Sequence, residues 1–272
     1  MAPRGEPRSR SRFVIPVAFI DHWRTVVPWV DQDQVEQDLL LSRMILEIAI
    51  NPLLSKELAF RGGTCLHKLW LQRPWRFSED LDYVRTSQGG VGEILSALRD
   101  IGVRLGFERV TTTIGSYPKV RFRTRSAAGT PLSIKVEINT FERAPSRAWM
   151  ERAYRMDSPW FAETASVRTF ELPELMATKI RALFQRRKGR DVFDLWLAVQ
   201  HAGVSPEEIA SCFDPYRPPD WSVARALLNL ERKAADPRFI DDIDLLVVER
   251  PTDFDARDAV EVARAVISAT DR

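Results

Sequence analysis

Two aspartates, Asp80 and Asp82, stand two positions apart in the run Arg76-Phe77-Ser78-Glu79-Asp80-Leu81-Asp82. On an extended strand this spacing points both carboxylates to one face. Two carboxylates side by side are hard oxygen ligands, suited to a Mg2+ ion that carries a nucleoside triphosphate. Upstream lies the turn Gly62-Gly63-Thr64. Glycines let the backbone come close to a phosphate, and the N–H groups at the start of the helix that follows favour anions. Ser78 offers a hydroxyl that can bond a phosphate oxygen or cap the turn. Asp-x-Asp or Gly-Gly-Thr alone is ordinarily a strand edge or a turn. Their succession between positions 62 and 82 is what carries information.

A third carboxylate is expected from a neighbouring strand. In residues 132–139, Leu132, Ile134, Val136 and Ile138 alternate with Ser133, Lys135, Glu137 and Asn139, which places Glu137 on the polar side. There it can serve the site, or pair with Lys135 or with an arginine of the 119–125 segment. A second block, residues 171–197, sets Lys179 among Leu175, Met176, Ile180 and Leu183. A lysine in such surroundings must find an anion or reach the surface. Asp194, one turn into the next helix, can meet it. A Lys179–Asp194 ion pair that staples two helices is the structural alternative to a catalytic role.

The order Gly-Gly-Thr, helix, Arg-Phe-Ser-Glu-Asp-Leu-Asp resembles the first motif of the nucleotidyltransferase superfamily. More narrowly, it resembles the AbiEii/AbiGii toxin family, which includes the MenT-type toxins. Residues 171–197 resemble that family's second signature: a Pro-Glu-Leu start, a helical lysine, then Arg190-Asp191-x-x-Asp194-Leu195. The resemblance implies a Mg2+-dependent nucleotidyltransferase with Asp80, Asp82, Lys179, Asp194 and Glu137 as catalytic residues. Asp80 and Asp82 would hold the metal, although Glu137 stands where many nucleotidyltransferases carry Asp. Gly62, Gly63, Thr64, Ser78 and Lys179 would surround the nucleotide, with Arg190 and Asp191 in support. It further implies a toxin paired with an antitoxin protein. Such a toxin would move NMP from an NTP to an RNA acceptor, the 3′ end of tRNA, and so block translation.

These residues need a scaffold, and the chain predicts an α+β one. A basic arm at 1–12 precedes a nucleotidyltransferase-like domain at 13–160 with a small mixed sheet, and an all-helical domain follows at 161–272. Apolar periodicity predicts helices over 31–50, 64–71 and 91–107, and a hairpin of 119–125 with 132–139 around Gly129-Thr130-Pro131. Further helices are predicted at 172–187, 191–202, 205–213, 221–235 and 257–270. The active site would then lie in the cleft between the two domains.

Composition limits the remaining options. The 272 residues carry a net charge of only +2, so bulk charge does not announce a nucleic-acid binder. Arginine dominates the cations, and its planar fork suits phosphates. With Cys65 and Cys212 far apart and only three histidines, a disulfide framework or zinc site is excluded as a reading. No apolar run approaches a membrane span and no apolar segment follows the N-terminal arginines, so a cytoplasmic protein is expected. Three arginine groups are candidates to track RNA: Arg121, Arg123 and Arg125; Arg186, Arg187, Lys188 and Arg190; and Arg143, Arg147, Arg152 and Arg155. Trp149 and Trp160 can stack a base or pack internally. The acidic stretch 236–258 is expected to face away from RNA or to meet a basic partner. The competing functions are transfer to a protein or small molecule, a metal-dependent nuclease, and a catalytically inert module of the same fold. The Gly-Gly-Thr turn speaks against a nuclease, which has no triphosphate to cradle.

Overall fold

The computed structural model describes residues 15–244 and 246–271; the basic arm expected at 1–12 lies outside them. Helix α1 (Val17–Arg24) leads to the long α2 (Gln32–Ile50), whose N-terminus is capped by the Asp31 side chain accepting from the Gln34 N–H. A short α3 (Leu54–Glu57) delivers the chain to β1 (Leu58–Arg61). Helix α4 (Gly62–Cys65) begins at once and runs on into a π-helical turn, Leu66–Trp70. Then come β2 (Asp80–Arg85), α5 (Gly92–Arg104), β3 (Arg109–Thr113), β4 (Lys119–Arg125) and β5 (Pro131–Asn139). The hairpin β6 (Met150–Ser158) and β7 (Phe161–Thr169) ends the strands. Helices α6 (Leu172–Gln185), α7 (Arg190–Gln200), α8 (Pro206–Ser211), α9 (Val223–Ala234), α10 (Pro237–Asp244) and α11 (Ala256–Ala269) follow.

Among the described residues seven strands form one mixed sheet in the order β3-β4-β5-β2-β1-β7-β6. Strand β2 runs parallel to β5 and β1 parallel to β7, while the other neighbours are antiparallel. The alternation predicted for β4 and β5 holds: Val120, Phe122, Ile134 and Val136 are buried, and Arg121, Arg123 and Arg125 are exposed. Helix α5 lies on the apolar face, where Gly102 leaves room for Phe122 and Val110, and α2 packs against β5 and β7. The opposite face of the central strands is free to carry polar chemistry. No described helix is long and apolar enough to cross a membrane.

The sheet is larger than the sequence suggests. Strand β7 falls inside the span assigned to the helical unit, so the all-helical part begins at Leu172 rather than 161. The reason is visible in β6 and β7, where Glu151, Arg155, Asp157 and Glu163 are exposed and only Tyr154, Met156 and Val167 supply large buried apolar groups. A strand with so little apolar alternation gives no period-two signal. Strand β3, Arg-Val-Thr-Thr-Thr, is hidden for the same reason.

Candidate active site

The parallel pairing of β2 with β5 decides the geometry. Asp80 is the register partner of Lys135 and Asp82 that of Glu137, so all four side chains share one face. Strand β1 adds Arg61 opposite Asp82, and β4 adds Lys119 opposite Glu137. One row across the sheet therefore reads Lys119, Glu137, Asp82, Arg61. Lys135 Nζ lies 2.9 Å from Asp80 Oδ2 and 3.4 Å from Glu137 Oε2, and Lys119 Nζ is 3.0 Å from Glu137. Glu137 thus stands beside Asp82 in the register and is paired with two lysines. Burial, then the nearby charges of Asp80 and Glu137, push the Asp82 carboxyl above its ordinary range, against the pull of Arg61 and Lys135. The Lys135 ammonium is opposed by burial, yet Asp80, Glu137 and Asp82 together hold it above the usual lysine value.

The glycine turn presses onto this carboxylate face. Gly62 has φ +82°, and a Cβ there would fall 2.5 Å from Asp82 Oδ2. A Cβ at Gly63 would meet the Arg76 guanidinium, which would have to shift off Asp194. Gly62 requires glycine for its conformation as well as its space. The Thr64 hydroxyl is buried, 2.8 Å from Ser78 Oγ and 2.5 Å from the Asp80 carbonyl, where it fixes the turn against the start of β2. Thr64 is therefore placed as a brace, whereas Gly62, Gly63 and Ser78 line the cleft.

Across a cleft of about 470 Å³, α6 presents the opposite wall. Thr178, Lys179, Arg181, Ala182, Gln185 and Arg186 recur at helical spacing on that side. The cleft therefore has its carboxylates on the sheet side, interleaved with Arg61 and Lys135, and cations on its helix side. Glu142 ties the two walls together, contacting Arg61 of β1 and Arg181 of α6 and accepting from Asn139 Nδ2 at 2.9 Å. Arg190 lines the same cleft.

The structure moves Asp194 and Asp191 away from the cleft surface. Asp194 is completely buried and accepts two bonds from Arg76, Nε and Nη2 each at 2.7 Å. Lys179 Nζ lies 2.6 Å from its other side and 3.2 Å from Asp191. Asp191, also fully buried, takes a forked pair from Arg186 at 2.7 Å. The helix-stapling reading of Lys179 and Asp194 is thus correct as geometry, and Lys179 still reaches the cleft wall. Burial alone would raise the Asp194 carboxyl, but Arg76 and Lys179 overwhelm it and hold it well below the usual range. Arg76 was not singled out in the sequence as a site residue, because an arginine at the end of a loop carries no local pattern that names its partner.

His67 completes the hub and gives it a pH dependence. Its Nδ1 accepts from the Trp75 N–H at 3.2 Å, so the proton sits on Nε2, which faces Asp194 Oδ1 at 3.4 Å. Burial, helped by the charges of Arg76 and Lys179, lowers the imidazole from 6.5 to about 4. The unfolded chain therefore takes up a proton near 6.5 that the folded chain refuses until about 4. Stability should fall as pH drops through that window, by roughly 3 kcal/mol in all. Thermal melts from pH 7 to pH 4 check this, and a His67→Gln variant should show a flatter slope.

The two tryptophans take the internal-packing alternative: Trp149 packs edge-on against Phe170 at 4.8 Å, Trp160 has the Arg43 guanidinium at 5.6 Å, and neither lines the cleft. The acidic stretch does not face away. Asp236 pairs with Arg187, Asp242 with Lys188 at 3.0 Å, and the Leu246 carbonyl at the cleft accepts from the Phe77 N–H at 2.8 Å. Among the described residues, no group of three or more His, Cys, Asp or Glu is gathered in a way that could hold a metal ion.

Comparison with known proteins adds a family. A family model described as nucleotidyl transferase AbiEii toxin, type IV toxin–antitoxin system, matches residues 45–220. Among solved structures, MenT4, a nucleotidyltransferase toxin from Mycobacterium tuberculosis H37Rv, superposes with a TM-score of 0.64 at 17% identity, covering 94% of this chain and 90% of that one. JHP933 from Helicobacter pylori gives 0.52 at 15% identity, covering 89% and 94%. At such identities the likeness is one of fold. Curated protein sequences give no match.

Proposed function

The chain belongs to the AbiEii family of nucleotidyltransferase toxins, and from that premise we propose that it moves a nucleoside monophosphate from an NTP to the 3′-hydroxyl of an RNA, a tRNA in particular, and so blocks translation. Family membership brings with it an NTP substrate and an antitoxin partner. The observation that carries the reading is the two-walled cleft, with Asp80, Asp82 and Glu137 on the sheet facing Lys179 and Arg181 of α6 and Arg186 just beyond its end.

That arrangement suits a triphosphate bound between the walls. The cations of α6 hold phosphate oxygens, and the close backbone at Gly62 and Gly63 lets N–H groups approach them. The possible metal donors on the other wall, Asp80 and Asp82, are carboxylates set side by side, with Lys135 and Arg61 beside them. Such a pair fits a hard divalent cation, which Asp80 and Asp82 would hold. A bound Mg2+ would neutralise charge on the triphosphate and on the departing pyrophosphate. The acceptor oxygen forms a bond to the α-phosphorus, the bond from that phosphorus to the bridging oxygen breaks, and pyrophosphate leaves with the electron pair. Glu137, beside Asp82 in the strand register, would take the acceptor's proton in this reading. Arg181 and Lys179 face the charge that develops on the leaving group.

Purified protein incubated with Mg2+, each α-³²P-labelled NTP in turn and total tRNA tests the reading on a denaturing gel. Label entering intact tRNA is the expected result. Unlabelled, intact tRNA would move the acceptor to a protein or small molecule, and shortened tRNA would indicate a nuclease.

A further inference from the structure

The three arginine groups marked in the sequence are not alike once folded. Arg186 pairs with Asp191, Arg187 with Asp236, Lys188 with Asp242, Arg147 with Glu171 and Arg155 with Asp157. Arg143, Arg152 and Arg190 have no carboxylate partner among the described residues, but only the β4 group lines up on one exposed strand face. Among the described residues, Arg121, Arg123 and Arg125 have no carboxylate partner; Arg121 reaches only Ser133 Oγ at 3.4 Å and Arg125 only the Gly129 carbonyl at 3.0 Å. Arg109 on the edge strand β3 is exposed and likewise without one.

Their register makes the arrangement costly without a ligand. Arg109 is the direct cross-strand partner of Arg123, and Arg121 that of Lys135. Like charges placed opposite each other on a sheet destabilise it. An anion laid across them removes that cost. The same face continues without a break into the site, since Arg121 pairs with Lys135 and Lys135 with Asp80. At about 4.8 Å per strand, Arg121 stands roughly 10 Å from Asp80. At the end of this face nearest Glu137, two exposed rings meet. Tyr117 before β4 and Phe141 after β5 lie 5.7 Å apart at 66°, with 38% and 63% of their surface open, and Tyr117 also lines the cleft.

We infer that the outer face of β3, β4 and β5 is the docking surface for the phosphate backbone of the acceptor RNA, with Tyr117 and Phe141 stacking a base near its end. This rests on the proposed RNA acceptor and adds the surface that holds it. The row of guanidinium groups matches a polyanion, and the exposed ring pair matches its bases. An acidic protein would use the arginines but has no bases for the rings.

The test uses the full chain and a 5′-fluorescein-labelled tRNA transcript, with anisotropy read against KCl concentration. In the triple variant Arg109→Gln, Arg121→Gln, Arg123→Gln the slope of log K against log salt should shrink by about 2 to 3, and affinity should fall about tenfold or more. Affinity for free NTP, measured by calorimetry, should not change. Wild-type slope and affinity in the triple variant, with RNA still labelled, would overturn the docking surface alone. Absence of RNA binding and labelling in the wild-type protein would overturn the proposed function, and the surface with it. Unchanged RNA binding with loss of a co-purifying acidic protein would assign the face to that partner and overturn the inference. Should the triple variant melt early, the single exposed Arg123→Gln must still reduce the slope, by about 1.

Discussion

Asp80→Ala is expected to lower nucleotidyl transfer at least about a thousandfold while leaving the melting temperature nearly unchanged. The two halves of that expectation come from different facts. The Asp80 side chain is 45% exposed and, among the described residues, its ion pair is with Lys135 at 2.9 Å. A pair so open to solvent contributes at most about 1 kcal/mol to stability. Its charge nevertheless faces the cleft beside Asp82, where it would help to hold the cation that carries the triphosphate. Removing it leaves Lys135 free to turn toward Glu137, already 3.4 Å away, so no charge is stranded. Initial rates of label transfer, with a melt on the same sample, decide the matter. A rate within tenfold of wild type would remove Asp80 from the site. Asp80→Asn keeps the shape and loses only the charge, so it should fail nearly as badly if charge is what the site uses.

The carboxylate face was legible in the sequence because its logic is local. Asp80 and Asp82 share a face on any strand, and the apolar alternation of 132–139 sets Glu137 on the polar side before any partner is known. The glycine turn was legible too, since Gly62 and Gly63 precede the strand that presses on them. What stayed hidden depends on pairing between distant segments. Nothing in Arg-Phe-Ser-Glu says that Arg76 will fork onto Asp194, 118 positions later. Lys135 reads as one more polar residue on β5 until the parallel register puts it against Asp80. The same blindness hid the pairing of the basic groups, because Asp236, just before α10, and Asp242, on it, neutralise Arg187 and Lys188 from a stretch that sequence alone turned away from the site. The hairpin of β6 and β7 was missed for a compositional reason, having too few buried apolar groups to show a period.

Asp194 is where the motif and the structure disagree most about role, and its removal should cost the most stability. The motif makes it a catalytic partner in the cleft. The structure buries it completely between Arg76, Lys179 and His67. Asp194→Ala would leave the Arg76 guanidinium buried at 3% exposure without its forked acceptor. Breaking a buried pair from one side costs about 3–5 kcal/mol, which in a chain of this size lowers the melting temperature by about 10 °C. Lys179 would keep Asp191 at 3.2 Å but lose its shorter contact, so its aim into the cleft should loosen and transfer should fall as well. Activity alone therefore cannot separate the two roles, whereas the melt can. A catalytic Asp194 acting in the cleft predicts lost transfer at wild-type stability. A positioning Asp194 predicts both losses together, with the double variant Arg76→Met, Asp194→Leu recovering much of the stability of Asp194→Ala because no guanidinium is then left stranded. Arg76 is tied to the glycine turn as well as to Asp194, since it fills the space where a Cβ at Gly63 would be, so that double variant should still transfer label less well than wild type.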